Sequence, residues 1–183
     1  MTDTLRPELT HVGIYVINLA RMTRFYTEIM KLHISDRGHG FSMPINIVFL
    51  TADPTKHHQF VLAEGRPADA PSSINQASFK VGSLDELRTM YQRVQAEGVD
   101  RLRAINHGNA WSVYFEDPEG NTIEIYLDTP WYVSQPHGDV LDLSLSDESI
   151  FKLTEEMCRK DAHFMPVGEW QNKMRSELGL PSS

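Results

Sequence analysis

Leu9-Thr10-His11-Val12-Gly13-Ile14-Tyr15-Val16-Ile17 is answered later in the chain by Ile74-Asn75-Gln76-Ala77-Ser78-Phe79-Lys80-Val81, at a constant offset of 65 residues that lays Gln76 over His11. The register continues through Leu19 over Leu84, Tyr26 over Tyr91 and Gln59 over Glu124. A fixed offset of this kind is an internal repeat, and each copy opens on a side chain able to ligate a metal. Two copies of one supersecondary unit imply two like halves sharing one site.

In the first copy Val12, Ile14 and Val16 alternate with His11, Gly13 and Tyr15, the period of a half-buried strand. Asn18 is placed to cap a helix carrying Leu19, Met22, Phe25, Tyr26, Ile29 and Met30 at helical spacing. Three strands are expected around 32–36, 45–51 and 57–63, with Gly38-His39-Gly40 as the turn between the first two. Residues 64–73 are rich in turn formers and link the copies. In the second copy Ser83-Leu84-Asp85-Glu86 is a capping-box pattern, and Leu84, Leu87, Met90, Tyr91 and Val94 mark a helix that Gly98 should end. Strands near 101–106, 110–116 and 121–127 follow, the last two joined by Asp117-Pro118-Glu119-Gly120. The expected fold class is α+β: two βαβββ repeats, about 8–63 and 74–127, form a curved, open mixed sheet within one domain at 8–127. Residues 128–183 make a helical C-terminal extension with Ile150, Leu153 and Met157, then Trp170, Met174 and Leu178, at helical spacing. Its aromatic side chains call for a surface to pack on, and a homodimer is expected.

A length of 183 residues suits one well-buried core, and 40% hydrophobic with 23% charged residues is ordinary globular composition. The net charge of −8, with no basic stripe, speaks against a nucleic-acid partner. Residues 1–8 lack the apolar core of a signal peptide, and no stretch approaches the roughly 20 apolar residues of a bilayer span. A cytoplasmic protein without a membrane partner is expected. The single Cys158 has no internal disulfide partner and reads as a helix-packing thiol.

Alternation places His11, then Gln76 with Ser78, then Thr122, Glu124 and Tyr126 opposite the apolar faces of their strands. An imidazole, an amide oxygen and a carboxylate directed into one polar trough suit a divalent metal such as Fe(II), Mn(II), Ni(II), Co(II) or Zn(II), with positions left for substrate. His11, Gln76 and Glu124 are therefore the expected metal ligands. His33, His39, His137 and His163 read as surface or tail residues.

The repeat, the strand opening on His11, and Tyr114-Phe115-Glu116-Asp117-Pro118-Glu119-Gly120-Asn121-Thr122-Ile123-Glu124 resemble the vicinal oxygen chelate superfamily over about residues 8–127. That superfamily includes glyoxalase I, fosfomycin and bleomycin resistance proteins, and type I extradiol dioxygenases. His57-His58, His107 and Tyr114 are similar in kind and spacing to the residues around the iron of a one-domain extradiol dioxygenase. This resemblance implies an Fe(II)-dependent oxidoreductase of aromatic catabolism that opens a catechol or related hydroxylated aromatic with dioxygen; Mn(II) or another divalent ion is the alternative cofactor. It implies His58 as acid–base catalyst and His107 and Tyr114 as hydrogen-bonding partners of the bound diol. Gln76 departs from the pattern, since such a dioxygenase ordinarily carries a second histidine there. Strict repeat arithmetic turns His58 toward the core; one bulged residue would bring it to the trough, with His57 as the fallback. The resemblance also accommodates another metal enzyme, a glyoxalase-like lyase, isomerase or thiol transferase, and a metal-free protein that sequesters a ligand.

Overall fold

Phe60, Leu62 and Val16 carry the first half's core because β1 (Val12–Val16) and β4 (Phe60–Glu64) run parallel side by side, Val12 opposite Phe60. Residues 5–181 are described in a computed structural model, so the reading of residues 1–8 falls in part on 1–4, outside the described residues. The chain divides into two compact units, Met1–Ser73 with Asp117–Gly120, and Ile74–Glu116 with Asn121–Ser183. The α+β class and the βαβββ repeat are as expected, and the strands form open sheets, one from each repeat.

The first unit's sheet has the order β1-β4-β3-β2, with β2 at His33–His39 and β3 at Asn46–Thr51. Asn18 caps α1 (Leu19–Arg24), its side chain accepting from the Arg21 amide at 2.9 Å. Beyond Arg24 the helix widens into a π-helical turn at Phe25–Ile29, and the Met30 amide reaches back five residues to the Phe25 carbonyl at 3.2 Å. The wider turn keeps Phe25, Tyr26 and Met30 all on the buried side. Tyr26 packs on Phe60 and donates to an Asp117 carboxylate oxygen at 2.8 Å. Burial, then the Asp117 charge, holds its phenol well above the ordinary range. Glu119 accepts from the Ile17 and Asn18 amides at 2.8 and 2.7 Å, just ahead of α1. Negative charge there complements the helix N-terminus.

Gly38 and His39 lie within β2, not in a turn, and the reversal falls at residues 40–45, where the Gly40 amide donates to the Ile45 carbonyl at 2.9 Å. Alternation also overstated the first strand, since Val12 is 40% exposed. The repeat itself slips. Gly13 pairs with Val61 and Ser78 with Glu124, so the structural counterpart of Glu124 is Val61, two residues past Gln59. Gln59 instead holds a turn, its side-chain oxygen accepting from the Ala52 amide at 3.0 Å.

The second unit's sheet has the order β10-β6-β7-β8-β5, comprising β5 (Ala77–Lys80), β6 (Arg103–Asn106), β7 (Ala110–Glu116), β8 (Thr122–Asp128) and β10 (Asp139–Val140). Helix α2 (Leu84–Glu97) buries Leu84, Leu87, Met90 and Val94 and ends on Gly98 at φ 71, a left-handed value glycine adopts without a Cβ clash. Its capping box is displaced by one residue: Ser83 accepts from the Glu86 amide, but Glu86 reaches Gly82 and not Ser83.

The extension pairs β9 (Trp131–Tyr132) with β11 (Met165–Pro166) and adds α3 (Asp147–Cys158) and α4 (Val167–Glu177). Leu153 is 53% exposed; α3 buries Ile150, Thr154 and Cys158 instead, a stripe at four-residue steps. The apolar reading missed it because its middle member is a threonine. Thr154 accepts from Trp111 Nε1 at 2.9 Å and Asn106 Nδ2 at 2.8 Å, so its hydroxyl belongs in the core. Burial pushes the Cys158 thiol up to about 11. A thiol-specific disulfide reagent at pH 8 is therefore expected to label folded protein at less than about a hundredth of the rate in denaturant, because only thiolate attacks. Equal rates would place Cys158 outside the core. Among the described residues no helix is long and apolar enough to cross a membrane.

Candidate active site

Ser78, Glu124 and Tyr114 are direct cross-strand neighbours, because β5, β8 and β7 are adjacent with Ser78 opposite Glu124 and Glu124 opposite Tyr114. Directly paired residues project from the same face. Glu124 is only 8% exposed, and all its hydrogen-bond partners among the described residues are donors. Gln76 Nε2 and Ser78 Oγ donate to Oε2 at 2.9 and 2.5 Å, and the Tyr114 hydroxyl donates to Oε1 at 2.5 Å. His107 Nε2 lies 3.0 Å from that hydroxyl, and His107 Nδ1 lies 2.5 Å from the His137 carbonyl. A carbonyl only accepts, so Nδ1 carries a proton and the ring is fixed with Nε2 toward Tyr114. The Arg103 guanidinium stands 4.8 Å over the Tyr114 ring. Ser78, His107, Tyr114 and Glu124 line a cavity of about 370 Å³ together with Tyr126 and Gln135.

Burial first, then hydrogen bonding to Glu124, raises the Tyr114 phenol far above its ordinary value. It therefore stays protonated at neutral pH and acts as a donor. The three partners that hold Glu124 are then all neutral. A nearly buried carboxylate with no full positive charge among its bonding partners is costly, and a divalent cation relieves that cost. The donor set fits such an ion: Gln76 presents its amide oxygen to the same place when the amide plane turns over. No group of three or more His, Cys, Asp or Glu side chains able to hold a metal occurs among the described residues.

In the first unit, His11 and His58 meet edge to face with ring centroids 4.3 Å apart. His11 Nδ1 is 3.0 Å from the Thr10 hydroxyl, which leaves Nε2 as its outward nitrogen. His57 Nδ1 and His58 Nδ1 are 2.9 Å apart, and His57 Nε2 lies 3.8 Å from Asp36. Both histidines precede β4, so no bulge in that strand is needed; the register shift in this sheet lies at Ile34/Asp36. Partial desolvation, then the neighbouring His11 and His57, lower the His58 pKa. His58 is thus neutral near pH 7, with its lone pair free to accept a proton.

His11 and His58 belong to the first unit, and Gln76, His107, Tyr114 and Glu124 to the second. Alternation placed Ser78 beside Gln76 on the polar face without giving it a role, and the structure makes it a donor to Glu124. It also took His137 for a bystander; that residue acts through its carbonyl, which leaves no mark in a sequence.

A model of the Glyoxalase/Bleomycin resistance protein/Dioxygenase superfamily matches residues 8–125. Biphenyl-2,3-diol 1,2-dioxygenase 2 of Rhodococcus globerulus is 25% identical over 130 residues, covering 68% of this chain and 65% of that protein. Biphenyl-2,3-diol 1,2-dioxygenase 3 of the same organism is 28% identical over 131 residues with the same coverage. The chain thus aligns with just under two thirds of each relative's length. Among solved structures, a glyoxylase/bleomycin resistance protein/dioxygenase domain from Frankia sp. EAN1pec superposes with a TM-score of 0.59 at 23% identity, covering 68% of this chain and all of that one. The fosfomycin resistance protein FosX from Listeria monocytogenes, complexed with Mn(II) and sulfate, gives 0.53 at 20% identity, covering 68% of this chain and 95% of that one. These likenesses show the fold, and the match over 8–125 decides membership: the chain belongs to the Glyoxalase/Bleomycin resistance protein/Dioxygenase superfamily.

Proposed function

We propose that this protein is a metal-dependent extradiol-type dioxygenase that opens the ring of a catechol or related hydroxylated aromatic. The observation that carries the reading is the chain His107–Tyr114–Glu124, a protonated phenol held between a fixed imidazole and a carboxylate that lacks a counter-charge. The biphenyl-2,3-diol dioxygenases support it as relatives. The metal's ligands in this reading are His11, Gln76 and Glu124, and the metal is Fe(II). When bound, Fe(II) supplies positive charge that favours the ionised diol and the electron transfer that lets dioxygen react.

The chain's own residues do the rest. His58, neutral at pH 7, accepts the proton that leaves the diol and returns one as the ring opens. Tyr114, whose single hydroxyl proton goes to Glu124 in the metal-free site, would turn it to developing negative charge once Glu124 holds the metal and, with its raised pKa, would not lose it. His107, anchored through the His137 carbonyl, sets the direction of that phenol. Both atoms of dioxygen end in the product, and the carbon–carbon bond that breaks adjoins the two hydroxyl-bearing carbons. The setting belonging to this reading is a cytoplasmic homodimer, which sedimentation would check.

The direct test loads purified protein anaerobically with Fe(II), then offers a panel of catechols and oxygen. Dioxygen uptake matched by a yellow ring-opened product is expected; its absence with every catechol overturns the reading. Gln76 gives a second reading, a non-redox reaction on adjacent oxygens, its own footing, because an amide oxygen binds Fe(II) more weakly than the imidazole it replaces. Activity with Ni(II) or Zn(II) would select that one. Gln76→His should tighten metal binding about tenfold, roughly 1.4 kcal/mol, measured by competition against a chromogenic chelator. Unchanged affinity would remove Gln76 from the ligand set.

A further inference from the structure

Helix α4 carries Val167, Trp170 and Met174 on one face at helical spacing, yet none of its residues is fully buried. An apolar stripe with this phase ordinarily seals against its support. Together with Trp131 and Tyr132 it lines a cleft of about 590 Å³. The lining is built without a ligand: Tyr132 stacks on Trp170 with centroids 5.3 Å apart and planes within 11°, β9 pairs with β11, and the Val167 amide donates to the Pro130 carbonyl at 2.9 Å. Asn109, Asp128 and Gln135 line this cleft and the Glu124 cavity alike. Gln135 is pinned between them, its Nε2 donating to the His107 carbonyl at 2.9 Å and to Asn109 Oδ1 at 3.1 Å. Asp128 is engaged by Lys80, so the shared margin is not a bare negative charge.

We propose that the extension forms an aromatic-walled subsite along α4 that receives a planar, apolar ring carried by the molecule whose polar end lies in the Glu124 cavity. The inference deepens the catechol reading and rests on it for the polar end. It assigns substrate selection to residues beyond the 8–125 span of the family match. A preformed aromatic cleft favours a flat ring over a flexible chain, because neither wall nor ligand loses much freedom on binding. A ring with one further ring attached spans both cavities, and a single-ring diol leaves the cleft to water.

The test separates this proposal from the activity. Calorimetry on metal-free protein with 2-phenylphenol, which has the second ring but no adjacent hydroxyl pair, is expected to give saturable one-to-one binding. Phenol should bind at least tenfold more weakly. Trp170→Ala and Met174→Lys, both on a helix with no buried residue, should each weaken 2-phenylphenol at least fivefold, leave phenol unchanged and preserve the circular dichroism spectrum. No saturable binding of 2-phenylphenol, or equal binding in both variants, overturns the subsite. If 2-phenylphenol binds as expected while the Fe(II)-loaded protein consumes no oxygen with any catechol, the subsite stands and the dioxygenase reading falls. If catechol is turned over and Trp170→Ala leaves the kcat/KM ratio of biphenyl-2,3-diol to catechol unchanged, the reverse holds.

Discussion

Glu124→Gln is expected to reduce metal affinity by more than about 100-fold, beyond the ~10–100-fold typical of partners outside the ligand set, and to abolish oxygen uptake. The same change should leave the metal-free protein at least as stable as the wild type. In the native chain a carboxylate only 8% exposed is held by three neutral donors, and its charge costs free energy until a cation arrives. Glutamine has the same shape and removes that charge. The two effects have opposite signs, which separates a ligand from a residue that merely braces the sheet. Metal analysis after dialysis and urea unfolding of the metal-free forms measure both. A variant that keeps its metal, or that loses stability by several kcal/mol, would reassign Glu124 to a structural role.

Trp111→Ala carries the largest expected loss of stability. Trp111 is fully buried in β7, meets Phe151 edge to face at 4.8 Å and donates to Thr154. Removing so large a side chain leaves a cavity and costs about 3–5 kcal/mol. With a urea slope of about 2 kcal/mol per molar, the midpoint should fall by about 1.5–2.5 M. Trp111→Phe retains most of the ring and should lose far less. A shift below about 0.5 M for the alanine variant would mean that α3 does not depend on this contact.

Alternation and helical spacing made the repeat legible, because each sheet has a buried apolar face and a face carrying polar groups. That is why His11, Gln76 and Glu124 could be placed on the polar faces from residue order, whereas Tyr114 came from the resemblance to a known family. Register was less legible: an offset taken from β1 and β5 does not survive to β4 and β8, where the pairing has slipped by two residues. Strand pairing is set by packing, and a slip of two keeps every side chain on its own face. The hydropathy of Val61 and Glu124 could not reveal that they correspond. In α3 a threonine holding tryptophan and asparagine side chains disguised the buried stripe. The anchoring of His107 by a backbone carbonyl leaves no trace in side-chain identity.

The placement of Asp117–Gly120 in the first unit bears on how the molecule is made. When a ribosome has released the first 73 residues, that unit still lacks the Asp117 carboxylate that receives the buried Tyr26 hydroxyl and the Glu119 carboxylate that receives the amides ahead of α1. Those contacts wait until residue 120 has emerged, after most of the second copy has been made. The first copy's sheet can pair before that point, and its last polar contacts close only when the second copy arrives.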